Sequence, residues 1–285
     1  MDIFMRFPGG RRKALTFSYD DGTEQDIRLV QIMKEHGLKG TFNLNSGMYP
    51  PEGTAFPPDR VYRKLTKSQA TEAFADTEME VAIHGFVHPH LERLSVSRCL
   101  HDVMTDRENL EQQFGTIIRG MAYPYGTYND QVIECLKMVG IQYSRTIEST
   151  QNFDMPADWY RWNPTCHHAD PELMNLAKKF AEGYVGGDPW LFYVWGHTYE
   201  FDVRNNWHVI EEFAEYIGSK DDIWYATNME ICEYTKAYQQ LIFSIDDHRV
   251  YNPTAYTIWF EEHYAGFEYK DSVIHCVKPG EQIII

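Results

Sequence analysis

The stretch ALTFSYDDG at residues 14–22 places an apolar strand, predicted over 14–18, directly before two adjacent carboxylates, Asp20 and Asp21. A helix is predicted next, over residues 26–36, because its apolar residues recur at helical spacing. The order is strand, polar loop, then helix. This unit is the pattern on which the rest of the chain is built.

About six more units of the same kind follow, which makes about seven βα units in all. Strands that alternate with helices indicate a parallel sheet, and seven successive units favour a closed or nearly closed barrel over an open sheet. The sequence therefore predicts the α/β class. The further predicted strands cover residues 41–44, 80–84, 117–122, 141–145, 191–196 and 223–226. The further predicted helices cover residues 68–74, 96–114, 130–138, 171–182, 207–217 and 229–237.

The last part of the chain has a different pattern, because helical periodicity fades after residue 240. Short strands are predicted at 256–260, 273–277 and 283–285, with Gly and Pro turns between them. We therefore expect a barrel domain over residues 1–240 and a small antiparallel β extension over 241–285, packed on the barrel. Packing is the favoured role for this extension, and a binding role stays open.

The charge of the chain limits its partners. Its 42 acidic and 26 basic residues give a formal net charge of −16. Such a surface repels phosphate backbones and anionic lipid, so nucleic acid and membrane surfaces are not expected as partners. Apolar runs stay shorter than the roughly 18 residues of a membrane span, and the first residues carry no secretory-type apolar run. The expected location is the cytoplasm, and the oligomeric state stays open.

Polar residues concentrate just after the predicted strands, where a barrel places its functional groups. His84 and His88 follow one strand, Asp20 and Asp21 another, and His197 a third. Two imidazoles and one carboxylate form a metal-binding set that leaves positions open for water and substrate. Each piece alone is also typical of a solvated turn or a structural histidine. The combination favours a metal site, with one aspartate as ligand and the other beside the bound water.

These motifs, taken in order, resemble those of the polysaccharide deacetylase family, also called the NodB-homology domain or carbohydrate esterase family 4. The likeness runs from about residue 15 to residue 226 in the family's order. It implies a distorted (β/α)7 barrel of the NodB type. The matching segments are TFSYDDG at 16–22, TFN at 41–43, HGFVHP at 84–89, AYPYG at 122–126 and WGH at 195–197.

The resemblance also implies a divalent metal held by Asp21, His84 and His88. Zinc is the metal expected first, and Co²⁺, Ni²⁺ or Mn²⁺ are alternatives. Asp20 would be the general base, taking a proton as water attacks an acetyl carbonyl. His197 would be the general acid that protonates the leaving amine.

The third motif, Ala122-Tyr123-Pro124-Tyr125-Gly126, is where the family places its oxyanion donor. That donor is the backbone N–H after the proline, which here belongs to Tyr125. This chain departs from the family at Ala122, where many members carry an arginine that pairs with the catalytic aspartate. Arg145, at the end of the next strand, is the favoured replacement, and Arg161 and Arg119 are the alternatives.

A carboxylate is expected to orient His197, and Asp154, Asp158 and Asp170 are left open as candidates. Tyr199 and Glu200 lie two and three residues after His197 and are expected to line the pocket. The polar loop at residues 164–168, with His168 at its end, is expected either to contact substrate or to pack as a loop.

The favoured function is a metal-dependent hydrolase that removes N-acetyl groups from an amino sugar or from an oligo- or polysaccharide. The missing export signal favours a small or intracellular substrate over a cell-wall polymer. One alternative is an O-acetyl esterase or another amide hydrolase that uses the same site. A second alternative is a catalytically silent carbohydrate-binding barrel, although none of the expected catalytic residues is lost.

Overall fold

The computed structural model describes residues 2–263 and 272–285 and shows a mixed α/β architecture around one parallel sheet. The first strand, β1 (Asp2–Arg6), lies outside that sheet. The strands of the central sheet are β2 (Lys13–Asp20), β3 (Thr41–Leu44), β4 (Glu80–Ile83), β5 (Gly120–Ala122), β6 (Tyr143–Arg145), β7 (Cys166–His167), β8 (Trp190–Gly196) and β9 (Ile223–Tyr225).

Hydrogen-bonded neighbours in this sheet run in the order β6, β5, β4, β3, β2, β8 and β7, with β9 paired to the start of β2. A parallel bridge between Arg145 and Trp162 then connects β6 to the segment that leads into β7. The seven strands β2–β8 therefore curve into the distorted (β/α)7 barrel that the sequence predicted. The two-residue strand β7 was not predicted, because it is too short to carry a periodic pattern.

Strand β2 lies at the centre of the sheet, and all eight of its residues are buried. Its sequence, KALTFSYD, alternates apolar and polar residues, so burial on both faces requires a partner for each polar side chain. Its polar side chains have partners: Thr16 donates to Asn228 Oδ1 at 2.8 Å, and Ser18 accepts from Asn43 Nδ2 at 2.8 Å. A strand fixed in this way is a rigid support for the two aspartates at its end.

Helices surround the sheet, and the predicted ones are found close to their expected bounds. The short helix α6, directly after His197, was not predicted. No described helix is long and apolar enough to cross a bilayer. The helices are α1 (Asp26–Glu35), α2 (Lys67–Phe74), α3 (Val96–Phe114), α4 (Asp130–Met138), α5 (Leu173–Glu182), α6 (Tyr199–Arg204), α7 (His208–Ile217) and α8 (Asn228–Tyr238).

The C-terminal part forms two three-stranded antiparallel sheets, one of which includes β1. Strand β1 pairs with β12, in the register Asp2 to His263, so the start of the chain joins the C-terminal sheet. The side chain of Glu261 on β12 is buried and forms ion pairs with Arg6 and Arg12. The division at residue 240 stays a prediction, but β1 belongs with the C-terminal strands. These are β10 (Ile242–Phe243), β11 (Arg249–Tyr251), β12 (Ile258–His263), β13 (Val273–Val277) and β14 (Gln282–Ile284).

Candidate metal centre and active-site cleft

The two adjacent aspartates lie where β2 ends, at the carboxyl end of the barrel. Asp20 is the last residue of the strand, and its Oδ1 accepts a hydrogen bond from Asn43 Nδ2 at 2.8 Å. Asp21 has a left-handed backbone with φ of 81°, and Gly22 follows with φ of 62°. A non-glycine residue rarely adopts this conformation, and such strain concentrates at functional sites. Because of this turn, the two carboxylates have different neighbours, so they can take different roles.

Asp21, His84 and His88 converge on one point. The Nε2 atoms of His84 and His88 are 3.2 Å apart, and Asp21 Oδ1 lies 4.0 Å and 3.8 Å from them. Two imidazole nitrogens and one carboxylate oxygen at these separations can surround a single divalent cation, and this donor set suits zinc. The residues therefore fit the metal that the sequence predicted, although the donor set does not choose among the divalent ions.

The protonation of the two histidines suits metal binding. His84 Nδ1 lies 2.8 Å from the carbonyl oxygen of Ala122 and donates its proton there, which leaves Nε2 free to face the cation. Burial lowers the pKa of His84. Burial, followed by the nearby His84, lowers the pKa of His88 to about 4. Both imidazoles are therefore neutral at pH 7, which is the form that binds metal.

Two buried acids of α3 hold the loop that carries these histidines. Asp106 accepts hydrogen bonds from the backbone N–H groups of Ser46 and His84, at 2.8 Å and 3.2 Å. Asp102 accepts from the N–H of Phe86 at 2.9 Å. Burial raises the pKa of Asp106 to about 7. His84 and His88 therefore lie in a loop that is supported from behind by α3.

Asp20 pairs with Arg145, which ends β6 and is fully buried. The same guanidinium donates from Nε to Ser18 Oγ at 3.1 Å and lies over the Trp195 ring, 4.5 Å from its centroid. Burial alone would raise the pKa of Asp20, but the charges of Arg145, His84 and His197 and the hydrogen bond from Arg145 together outweigh burial and lower the pKa to about 2. Asp20 is therefore ionised throughout the neutral range.

The other two arginine candidates lie elsewhere and do not reach Asp20. Arg119 pairs with Glu233, and Arg161 pairs with Asp130 and Asp158 on the surface. Of the three arginines that the sequence left open, the structure brings Arg145 to Asp20. Arg145 can take the place of the arginine that many family members carry at position 122, because β6 ends at the same face of the barrel as β2.

His197 follows β8 and is oriented by Glu200, which lies in the first turn of α6. His197 Nδ1 is 2.8 Å from Glu200 Oε1, and its Nε2 lies 3.9 Å from Asp20 Oδ2. Burial would lower the pKa of His197, but the hydrogen bond to Glu200 and the negative charges of Asp20, Asp21 and Glu200 together outweigh burial and raise the pKa. A donor at Nδ1 leaves Nε2 directed toward the two aspartates.

The three aspartates left open as partners of His197 were the wrong candidates. Asp158 bonds to the backbone of Tyr160 and pairs with Arg161, and Asp170 accepts from Gln151. Asp154 lines a separate cavity beside Trp190. Glu200 orients His197 instead, since the short helix α6 returns its side chain to the imidazole.

Glu200 also has two other histidines as neighbours. His167 Nε2 lies 3.5 Å from Oε1 of Glu200, and His168 Nε2 lies 3.6 Å from its Oε2. Burial would raise the pKa of Glu200, but the surrounding imidazoles hold it well below its usual range. The backbone N–H of Ala169 donates to His167 Nδ1 at 3.1 Å, so the proton of a neutral His167 is on Nε2. The distances would allow an ion between His167, His197 and Glu200. Because Nε2 of a neutral His167 carries a proton, we interpret these three residues as a hydrogen-bonded group instead.

His168 was expected either to contact substrate or to pack within its loop, and the structure shows it packed away from the cleft. Its ring is 1% exposed and stacks between Tyr19 and Phe201, at centroid distances of 5.6 Å and 4.2 Å. Burial lowers its pKa to about 4. His168 therefore packs behind Glu200 and does not line the cleft.

A cleft of about 510 Å³ opens over these groups. Tyr125, with φ of 57°, follows Pro124 in a tight turn, and its ring stacks on His90 at 4.0 Å and contacts His88 edge-on at 4.3 Å. On the opposite wall, Tyr199 contacts Tyr62 edge-on at 5.0 Å. The lining residues are Asp20, Asp21, Met48, Tyr62, His84, Val87, His88, Tyr123, Tyr125, Gly126, Ile147, Trp195, His197 and Tyr199.

Two residues of the long loop between β3 and α2 were missed by sequence reasoning. Tyr62 lines the cleft, and Lys64 is buried behind Asp21. Lys64 Nζ donates to the backbone oxygen of Asp21 at 2.8 Å and to Asn45 Oδ1 at 2.7 Å. The loop has no periodic pattern that would place either side chain near the site. Tyr62 and Lys64 come close to the motif residues only when the loop folds back toward the site.

The sequence of residues 8–144 matches the family described as polysaccharide deacetylase. This matched region contains the aspartates of β2, the histidine pair and the turn of Tyr125. Just under half of the chain is therefore similar in sequence to this family. The match supports a hydrolase of the carbohydrate deacetylase type. Arg145, His197 and Glu200 lie beyond the matched region, and they reach the site through the fold.

Solved structures share the fold of this chain at low sequence identity. A candidate polysaccharide deacetylase from Mycobacterium smegmatis is 17% identical with a TM-score of 0.57, covering 84% of this chain and 96% of that one. A second structure is the Xyl-CE4 domain of a multidomain xylanase from the hindgut metagenome of Trinervitermes trinervoides. It is 14% identical with a TM-score of 0.50, and the match covers 79% of this chain and 92% of that domain.

The Streptococcus pyogenes deacetylase PplD, solved in complex with acetate, is 22% identical with a TM-score of 0.41. The match covers 46% of this chain and spans 55% of PplD. No curated protein sequence matches this chain significantly.

Proposed function

We propose that this protein is a metal-dependent hydrolase that removes N-acetyl groups from an amino sugar or a sugar oligomer. The observation that carries the proposal is the position of Asp20. Its Oδ2 lies 3.8 Å from Nε2 of His84, on the metal-ligand side, and 3.9 Å from Nε2 of His197. One carboxylate therefore stands between a metal-binding group and an oriented imidazole, which is the arrangement that hydrolysis of an amide needs.

Asp21, His84 and His88 would hold the cation. Zinc is the simplest choice for this donor set, and Co²⁺, Ni²⁺ and Mn²⁺ accept the same ligands. When bound, such a cation lowers the pKa of a coordinated water and polarises the substrate carbonyl. The neutral state of both imidazoles makes these ligands available at pH 7.

Asp20 serves as the general base. Its carboxylate is ionised and buried, and Arg145 and Asn43 hold it in one orientation through Oδ2 and Oδ1. In this position it accepts a proton from the attacking water. Arg145 does not touch the reacting atoms in this scheme, so we assign it a positioning role.

The backbone N–H of Tyr125 serves as the oxyanion donor. Pro124 precedes it, and the first hydrogen bond of the turn runs from the N–H of Gly126 to the oxygen of Tyr123 at 2.9 Å. A fixed backbone donor stabilises the tetrahedral oxyanion without rearranging during the reaction. The stacking of the Tyr125 ring on His90 supports the left-handed conformation of the turn.

His197 serves as the general acid. Glu200 holds its Nδ1–H, and the raised pKa keeps a larger fraction of the imidazole protonated near neutral pH. The proton on Nε2 is then available to the leaving amine. Glu200 stabilises the imidazolium and fixes the plane of the ring, in the manner of a base and its orienting carboxylate.

The walls of the cleft suit a sugar ring. Tyr62 and Tyr199 form one wall, Tyr125 forms part of the other, and Trp195 lines the interior. Aromatic rings offer flat apolar faces with polar edges, which stack well on the apolar face of a pyranose. A carbohydrate substrate is also what the match of residues 8–144 to the polysaccharide deacetylase family supports.

The experiment that tests this function is acetate release from a panel of soluble N-acetylated and O-acetylated sugars. The protein is assayed after loading with Zn²⁺ and again after treatment with a chelator. We expect release from an N-acetyl sugar that stops on chelation and returns when metal is added back. Release from the O-acetyl sugars alone would replace the amidase assignment with an esterase. No release by protein shown to contain metal would reject the function.

A further inference from the structure

Three fully buried polar residues, Thr23, Asp26 and Thr198, form one hydrogen-bonded cluster beside the site. The Thr198 hydroxyl donates to Asp26 Oδ1 at 2.5 Å, and the backbone N–H of Thr23 donates to Asp26 Oδ2 at 3.2 Å. The Thr23 and Thr198 hydroxyl oxygens are 2.8 Å apart. Every polar atom named here has a partner within the cluster, so its geometry is well defined.

The cluster joins the two loops that follow the neighbouring strands β2 and β8. Thr23 lies two residues after Asp21, in the loop that follows β2. Thr198 directly follows His197 and precedes helix α6, which carries Glu200. Asp26 is the first residue of α1 and contacts both threonines. A chain of hydrogen bonds therefore connects the loop of the aspartates to the loop of the imidazole.

Asp26 acts in its neutral form at pH 7. Burial raises its pKa to about 8, partly offset by the hydrogen bonds from Thr198 and Thr23. The charge of Asp21 also raises this pKa, and the charge of Lys64 lowers it. When Asp26 is neutral, its bond to Thr198 runs in the other direction: Oδ1–H donates to the Thr198 hydroxyl oxygen, the Thr198 hydroxyl donates to that of Thr23, and Oδ2 still accepts from the N–H of Thr23. An amide has nearly the same shape and reproduces this pattern with its nitrogen in the place of Oδ1. Asparagine can therefore take the place of this residue, and alanine cannot.

A second set of contacts holds helix α6. Gln25 donates to Asp202 Oδ2 at 2.7 Å, and Trp207 Nε1 donates to Asp202 Oδ1 at 2.7 Å. These bonds attach α6 to the start of α1 from the solvent side. They do not involve the residue next to His197, so the buried cluster is what sets the backbone at that position.

We propose that Thr198 and Asp26 are positioning residues that fix His197 between Glu200 and Asp20. The kinetic consequence rests on the proposed function, whereas the effect on the imidazole itself does not. If the Thr198 hydroxyl is lost, the backbone next to His197 is released from α1 and its hydrogen bond to Glu200 weakens. A displacement of about 1 Å at a reacting group is enough to slow catalysis strongly.

The test compares Thr198→Val, which keeps the shape and removes the hydroxyl, with Thr198→Ser, which keeps the hydroxyl. We expect Thr198→Val to lower kcat by roughly 10- to 100-fold, with KM and zinc affinity little changed. Thr198→Ser should stay near the wild-type rate. NMR titration of the His197 imidazole should show a lower pKa in Thr198→Val than in the wild type, since the bond to Glu200 raises it.

Asp26 supplies the matched pair. Asp26→Asn should keep kcat and the pKa of His197 at their wild-type values. Asp26→Ala should lower both kcat and this pKa, as Thr198→Val does. This pair also decides the question if Thr198→Val does not fold. An unchanged His197 titration in folded Thr198→Val and Asp26→Ala would overturn the proposal. A shifted titration in a protein that releases no acetate would support the cluster and reject the proposed function.

Discussion

Arg145 and Asp20 form a buried ion pair across the interior of the barrel, from the end of β6 to the end of β2. The two residues are 125 positions apart in the chain. Both side chains are almost fully withdrawn from water, so each charge depends on the other. The pair keeps Asp20 ionised next to the metal-ligand group and fills the space over Trp195.

Arg145→Ala should lower kcat and destabilise the fold, because it leaves the Asp20 carboxylate buried without its cation. Removing one partner of a buried pair costs about 3–5 kcal/mol, and we expect turnover to fall by roughly 100-fold. Steady-state kinetics and denaturant unfolding measure the two effects. Arg161→Ala is the control, because its exposed ion pairs should contribute at most about 1 kcal/mol. Equal rates in the two variants would leave Arg145 without a role in turnover.

Asp20→Asn should abolish most turnover while the metal stays bound. General-base catalysis contributes about 10²- to 10⁴-fold, and the amide cannot accept the proton. Acetate release measures the rate, and elemental analysis measures the bound metal. Asp59→Asn, at an exposed position, is the control. A variant with near-normal turnover would refute the assignment of Asp20 as the base.

His84→Ala should lose metal, because it removes one of three protein ligands and the buried contact to Ala122. We expect the affinity for Zn²⁺ to weaken by more than about 100-fold, beyond the usual cost of losing an outer-sphere partner. Isothermal titration with Zn²⁺ measures this without any substrate. His101→Ala, on the exposed side of α3, should bind as the wild type does. Full occupancy in His84→Ala would remove it from the ligand set.

Glu200→Gln should shift the alkaline limb of the pH–rate profile to lower pH. The general acid must be protonated, so the rate falls as pH rises through the pKa of His197. The hydrogen bond to Glu200 raises that pKa, so its loss lowers the pKa and the proton leaves at a lower pH. The kcat/KM profile between about pH 5 and 10 measures the shift. Glu211→Gln, which removes an exposed ion pair with Arg28, should leave the limb in place.

Much of the fold could be predicted because it depends on local patterns. The α3 and α4 helices have the bounds that their periodicity predicted, and the alternation of strands and helices indicated the barrel. Strand β1 could not be placed in this way. It pairs with β12, more than 250 residues further along the chain, and nothing in its own sequence specifies that partner.

Glu200 shows why part of the site escaped prediction. The sequence predicted that Glu200 lines the pocket near His197. The carboxylates that it offered to orient the imidazole were Asp154, Asp158 and Asp170 instead. Helix α6 has only six residues, too few to show a periodicity. Its one turn brings Glu200 back to His197 Nδ1 at 2.8 Å.

The order of the motifs along the chain was enough to predict that Asp20, Asp21, His84, His88 and His197 lie at one face, since parallel strands end together. Which atoms meet there was decided by tertiary structure. The partner of Asp20 depends on how the barrel closes, and Asp26 reaches Thr198 across 172 positions. Pairings of this kind depend on distances between elements, which a pattern of neighbouring residues does not contain. Burial then sets the charge of each group, because the pKa of a side chain follows from what surrounds it in space.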